Sequence, residues 1–181
     1  MTLAQLDLLL REVSVRHSVN TFVVVGSLSV LALGRGLSIP EAMLVSMEVD
    51  AWPESDPARA FEIAKNFGLG SAFEQEHGYY FDAVSPSLPT LPDGWRDRLI
   101  PLKLQGGVLV KFCDPNDAAI AKLARGETKD LSWVRAGIDA TLLSIATLVY
   151  RFRETIFLDD EEQERVRVVL KSEAERAGVS M

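Results

Sequence analysis

The chain has 181 residues, 48% hydrophobic and 25% charged, with 26 acids against 19 bases for a formal charge of −7. That length suits a single domain with one sizeable core, and the composition excludes a disordered chain or a fibrous rod. The acidic balance excludes a generally basic nucleic-acid coat, because neutralising phosphates needs clustered Lys and Arg.

Cys113 is the one cysteine, so the chain can form neither an internal disulfide nor a thiolate zinc site, and a reducing cytoplasm is expected. Residues 2–16 carry Leu3, Leu6, Leu9, Leu10 and Val13 at spacings of three and four, which predicts an amphipathic helix. Asp7, Arg11 and Glu12 interrupt it, unlike a signal peptide, and the apolar run 22–33 is too short to span a bilayer. No membrane contact is expected.

The β-branched run 21–25 predicts a buried strand ending at Gly26-Ser27, with a helix from Ser27 to about Leu33 that Gly34-Arg35-Gly36 stops. Residues 43–52 predict a second strand, ended by Pro53. Asp56-Pro57 reads as the cap and first position of a helix bearing Ala60, Phe61, Ile63, Ala64 and Phe67, closed by Gly68. Residues 78–84 predict a third strand. Pro86, Pro89 and Pro92 make the stretch 85–94 an ordered crossing or loop, followed by a short turn at 95–99.

Runs 100–104 and 108–112 flank Gln105-Gly106-Gly107 as a hairpin. Asp114-Pro115 then opens a helix to about Arg125, Gly126 breaks it, and further helices are predicted from 128 to about 136, near 141–152 and over 159–177. The expected fold class is α/β (α+β), with an α/β core over residues 1–112 and a C-terminal helical subdomain over 113–181 packed on it.

Three local features carry possible chemistry. In a strand at 43–52, Glu48 and Asp50 share one face about 7 Å apart while Met47 and Val49 turn to the core. Two carboxylates at that spacing can converge on one Mg²⁺ or Mn²⁺; they equally suit a solvated strand face. Gly26-Ser27, between strand and helix, suits a phosphate cradle built from backbone amides; the same turn also serves sterics alone. Asp82 lies in an otherwise apolar strand, where a carboxylate is costly unless paired, hydrogen-bonded or metal-bound; it is a third ligand, a base, or a solvent-facing group. Neither a P-loop nor a Rossmann fingerprint occurs. His17 and His77 lack a nucleophile pattern, Cys113 reads as a buried inert thiol, and Trp52, Trp95 and Trp133 suit core anchors or base-stacking platforms.

Taken in order, Gly26-Ser27, Ser46-Met47-Glu48-Val49-Asp50, the Gly78-Tyr79-Tyr80 strand, the segment 91–99 and the segment 114–134 resemble an uncharacterised bacterial nucleotidyltransferase-like family over roughly residues 20–140. The pattern is also distantly similar to abortive-infection (AbiE-type) nucleotidyltransferase toxins. The resemblance implies a mixed sheet flanked by helices and a Mg²⁺-dependent transfer of a nucleoside monophosphate from an NTP to an RNA, protein or small-molecule hydroxyl. It implies that Gly26 and Ser27 hold the triphosphate, that Glu48, Asp50 and Asp82 bind Mg²⁺ or Mn²⁺, and that Asp82 also serves as base. Lys122 would neutralise phosphate charge and Asp130 would orient it or a nearby base. An antitoxin partner, or a silent module of a toxin–antitoxin or defence system, belongs to the same resemblance. The chain departs from the pattern in having Glu48 where Asp is commoner, a long 34–45 loop, and Glu127 where an Arg is expected, with Arg125 two residues earlier.

Overall fold

The structure is a computed structural model that describes residues 1–34 and 36–179. Five strands, β1 (Thr21–Val24), β2 (Glu48–Pro53), β3 (Tyr80–Ala83), β4 (Ile100–Lys103) and β5 (Leu109–Phe112), form one sheet in the order β3-β2-β1-β5-β4. β1 runs antiparallel to β2 and parallel to β5, β2 runs parallel to β3, and β4 and β5 form the antiparallel hairpin. The expected mixed α/β architecture with a helical C-terminal part is what the chain adopts.

The two faces of the sheet differ in chemistry because side chains alternate along each strand. Phe22, Val24, Val49, Ala51, Phe81, Val110 and Phe112 share one face and are almost wholly buried. They join one hydrophobic cluster with Leu6, Leu9, Leu10 and Val13 of α1 (Leu3–His17), with Ala60, Ile63 and Phe67 of α2 (Ala60–Phe67), and with Phe73 of α3 (Ala72–His77). Glu48, Asp50, Trp52, Tyr80, Asp82, Val23 and Lys111 share the opposite face. All the strand acids that the sequence singles out are therefore on the side away from α1 and α2.

Four helices follow: α4 (Pro115–Arg125), α5 (Thr128–Asp139), α6 (Ile145–Arg153) and α7 (Asp160–Arg176). Asp114 caps α4 by accepting from the Asn116 amide at 2.8 Å, and Pro115 fills the first position, as the Asp-Pro pair predicts. α4 is the hub, packed against α5, α6, α7 and the segment 26–33. A second hydrophobic cluster holds Ile120, Leu123, Trp133, Val134, Leu148, Val166 and Leu170 together with Val30 and Met43 from the first half. Among the described residues no helix is long and apolar enough to cross a membrane.

Several local expectations need correction. Gly26–Leu33 is a 3₁₀ helix that starts one residue before the predicted α-helix. The second strand begins only at Glu48, because Glu41–Met43 coils into a 3₁₀ turn, and Met47 is 63% exposed instead of facing the core. Asp56 makes no side-chain cap, and Pro57–Arg59 is a 3₁₀ turn leading into α2. The third strand spans Tyr80–Ala83 rather than 78–84. Helix α3 was not expected; Ser71 caps it and Gly78, at φ +75°, ends it. α5 runs three residues past its predicted end, and α6 starts at Ile145 rather than near 141. Of the predicted stop Gly34-Arg35-Gly36, Arg35 lies outside the described residues.

A buried charge cluster fastens the helical part. Asp117, with no exposed surface, accepts a hydrogen bond from Arg98 Nε at 2.8 Å and lies 2.9 Å from Arg151 Nε, joining α4 to the 95–98 turn and to α6. Burial pushes its carboxyl up, and the hydrogen bond and charge of Arg98 work against that. Asp117→Ala leaves two guanidinium groups facing an apolar gap. It is expected to lower stability by about 2–4 kcal/mol, read as a lower urea midpoint at unchanged m-value. A loss below about 1 kcal/mol in that measurement refutes the fastening role.

Candidate active site

β1 delivers the chain to a turn at Gly26, whose φ is +67°. The Val25 amide donates to the Asp50 carbonyl at 2.9 Å, which pins that turn to β2. A Cβ built on Gly26 would stand 2.1 Å from Asp50 Oδ2. Glycine is thus required twice over, for the left-handed backbone and for the close approach of the carboxylate. No side chain caps the 3₁₀ helix that begins here, so its first amides remain available as donors.

Parallel pairing of β2 with β3 sets Asp50 beside Asp82 and Glu48 beside Tyr80. Burial first, then the charges of Glu48 and Asp82, push the Asp50 carboxyl up to about 7. Burial and Glu48 also raise Asp82, against a hydrogen bond from Asp50 that stabilises its charged form. Burial and like charge therefore both work against ionising the two carboxyls together. Tyr80 Oη donates to Glu48 Oε2 at 3.3 Å, and Lys129 Nζ lies 3.9 Å from Glu48 Oε1. Among the described residues no three acidic, His or Cys groups gather as a ready-made ion cage. The donor set still suits a hard cation: neighbouring oxygen ligands, one of them pushed toward neutrality by burial and by like charge, beside a turn that a carboxylate approaches closely.

α4 supplies the opposing charge. Lys122 is 5% exposed, and its Nζ donates to Ser27 Oγ at 2.9 Å and Asp130 Oδ1 at 3.0 Å while lying 5.2 Å from the Trp133 ring centroid. Asp130, fully buried, also receives Arg125 in a two-point contact, Nε to Oδ2 and Nη2 to Oδ1, each 2.7 Å. Burial alone would raise the Asp130 carboxyl, but the hydrogen bonds and charges of Arg125 and Lys122 hold it below the usual range. Desolvation lowers Lys122, opposed chiefly by Asp130. One carboxylate thus carries two cations, and the surplus positive charge faces Asp50.

Two hollows meet at Lys122. The smaller, about 210 Å³, is lined by Ser27, Glu48, Tyr80, Lys122, Lys129 and Trp133. The larger, about 380 Å³, has Gly26, Asp50, Asp82, Lys122 and Arg125 on one side and the apolar Val84, Leu88, Leu91 and Leu158 on the other. Every residue the sequence singled out as a site (Gly26, Ser27, Glu48, Asp50, Asp82, Lys122 and Asp130) lines these hollows or touches one that does. Tyr80, Arg125, Lys129 and Trp133 were not assigned to the site. In the sequence Arg125 stands only as displaced from an expected Arg position; in the structure it follows the helix to its end and pairs with Asp130 across the Gly126 break. His17, His77 and Cys113 line neither hollow.

Gly26→Ala is expected to cost more than about 2 kcal/mol, from the positive φ and the contact with Asp50 together; thermal unfolding within 2 °C of the parent refutes the close approach. Because folding raises the Asp50 carboxyl, its stabilising contribution is full below about pH 4 and is lost as pH rises through about 7. With a chelator present, wild type should lose stability relative to Asp50→Asn across that window. Parallel pH profiles of the two unfolding midpoints refute the raised Asp50 carboxyl.

No curated protein and no solved structure matches the chain. The model of a family described as "nucleotidyltransferase of unknown function (DUF6036)" matches residues 1–176, nearly the whole length. With the turn, the strand acids and the buried lysine already located, this chain belongs to that nucleotidyltransferase family.

Proposed function

We propose that the chain transfers a nucleoside monophosphate from a Mg²⁺-bound NTP to a hydroxyl acceptor. The observation that carries this reading is the convergence at Lys122: a donor-rich hollow on one side and a carboxylate pair on the other. Lys122, Lys129, the Ser27 hydroxyl and the free amides after Val25 receive the β- and γ-phosphates. Asp130, held by Arg125, keeps Lys122 charged and aimed at the turn. Asp50, with Glu48 on the same strand face and Asp82 beside it, would hold a divalent cation, which supplies charge neutralisation at the phosphoryl oxygens.

The acceptor oxygen forms its bond to the α-phosphorus as the bond from that phosphorus to the bridging oxygen of the β-phosphate breaks. The acceptor proton passes to Asp82, and pyrophosphate leaves on the lysine side. A carboxyl already raised by burial and by Glu48 suits proton capture better than an ordinary one does.

A second reading, a nucleotide-binding module without turnover, is favoured by one observation: Glu48 is engaged by Tyr80 and Lys129. Labelled NTPs offered with Mg²⁺ or Mn²⁺ and total RNA, protein or small alcohols separate the two. Asp50→Ala should abolish both transfer and metal-dependent NTP binding. Asp82→Asn should lower kcat by about 10²–10⁴, a larger factor than its loss of metal-dependent NTP binding. Metal-dependent NTP binding without transfer to any acceptor selects the silent module, and no NTP binding by wild type rejects both readings.

A further inference from the structure

A third hollow continues the line of the first two. Along β2, Glu48 lines the lysine hollow, Asp50 the acid hollow, and Trp52 a further hollow of about 520 Å³. Along β1 and its turn the same stations fall at Ser27, Val25 and Val23. Steps of two residues stay on one sheet face and advance about 7 Å each, so the strand residues that floor the three hollows form one track across a single face.

In-line displacement gives this track a direction. The leaving and attacking oxygens stand on opposite sides of the phosphorus, so if pyrophosphate departs toward Lys122 and Lys129, the acceptor approaches from the Trp52 side. The third hollow is lined by aromatic rings and by two cations, Arg96 and Lys111, against one acid, Glu54. Trp52 and Trp95 pack edge to face at 6.1 Å, and the Arg96 guanidinium lies 4.4 Å from the Trp95 ring centroid. Among the described residues Arg96 makes no ion pair, and it is exposed. Lys111, paired with Glu54, stands across the hollow. The segment 83–158, which contributes Trp95, Arg96 and Lys111, holds ten bases against eight acids in a chain that is acidic overall.

We propose that this third hollow is the acceptor subsite and that it takes the 3′-terminal segment of a single-stranded nucleic acid. Arg96 and Lys111 meet its phosphates, a base stacks on the Arg96 guanidinium, and the terminal hydroxyl reaches Asp82. The hydroxyl oxygen bonds to the α-phosphorus, its proton goes to Asp82, and pyrophosphate leaves on the opposite side. A peptide acceptor needs no phosphate contacts, so an unpaired Arg96 with Lys111 in the same hollow, a net positive charge one station beyond the acids even after Glu54 is counted, favours nucleic acid. This assignment rests on the nucleotidyl-transfer reading above.

The test titrates a fluorescein-labelled oligouridylate and, separately, Mg-NTP into wild type and into Arg96→Ala/Lys111→Gln, following anisotropy and calorimetric heat. The double variant should bind the oligonucleotide about tenfold or more weakly, with the slope of log K against log salt reduced by about 1.4, the value for two lost single-strand phosphate contacts. Mg-NTP binding should stay unchanged, which also certifies the fold. Arg96→Glu alone should weaken the oligonucleotide further than Arg96→Ala. Wild type that binds Mg-NTP but not the oligonucleotide overturns the subsite and spares the nucleotidyl-transfer reading. So does equal oligonucleotide affinity in the variants, or transfer to a serine peptide in place of nucleic acid. Wild type that fails to bind Mg-NTP overturns both.

Discussion

One buried carboxylate organises the site. Asp130 has no exposed surface and receives both Lys122 and Arg125, which makes a cluster of net positive charge inside the helical part. Removing an ammonium from water is costly without a partner, and Asp130 is the partner that opposes the desolvation lowering Lys122. The surplus charge acts across the cleft: Lys122 and Arg125 both work to lower Asp50, against the burial and like charges that raise it. The strand acids and the helical cations are therefore each other's electrostatic condition. The turn at Ser27 joins them through a single hydrogen bond.

The division of charge along the sequence makes sense on this basis. Residues 41–82 hold nine acids against Arg59 and Lys65, and that segment contains both acid-bearing strands, β2 and β3. The segment after it holds every cation that faces them. A chain with a formal charge of −7 can present a locally cationic wall because the two signs come from separate stretches that the fold brings face to face.

What was legible in the sequence was local. A β-branched run ending at Gly26, the alternation that puts Glu48 and Asp50 on one face, and the Asp114-Pro115 helix start each depend on a few neighbouring residues, and each is realised. What was hidden was pairing and compensation at a distance. Nothing in the sequence shows that β3 runs parallel to β2 in the register that sets Asp82 against Asp50 and Tyr80 against Glu48. The apolar look of residues 43–47 suggests strand, yet the 3₁₀ turn at 41–43 buries Met43 under Trp133, whose Nε1 donates to the Met43 carbonyl, and leaves Met47 outside. Arg125 was undervalued because its partner lies beyond a helix break, where sequence spacing no longer reports distance.

The segment 85–94 crosses from the sheet to the helices and is fastened at two points, Thr90 Oγ1 to Glu162 Oε1 at 2.9 Å and the Asp93 amide to the Glu154 carbonyl at 2.8 Å. On the other side of the cleft Lys122 holds Ser27. Struts at both margins therefore tie the acid wall to the cation wall. An occupant that draws Lys122 toward itself competes with the Ser27 hydroxyl for that ammonium, so the same contact that spans the cleft is one a phosphate would have to share.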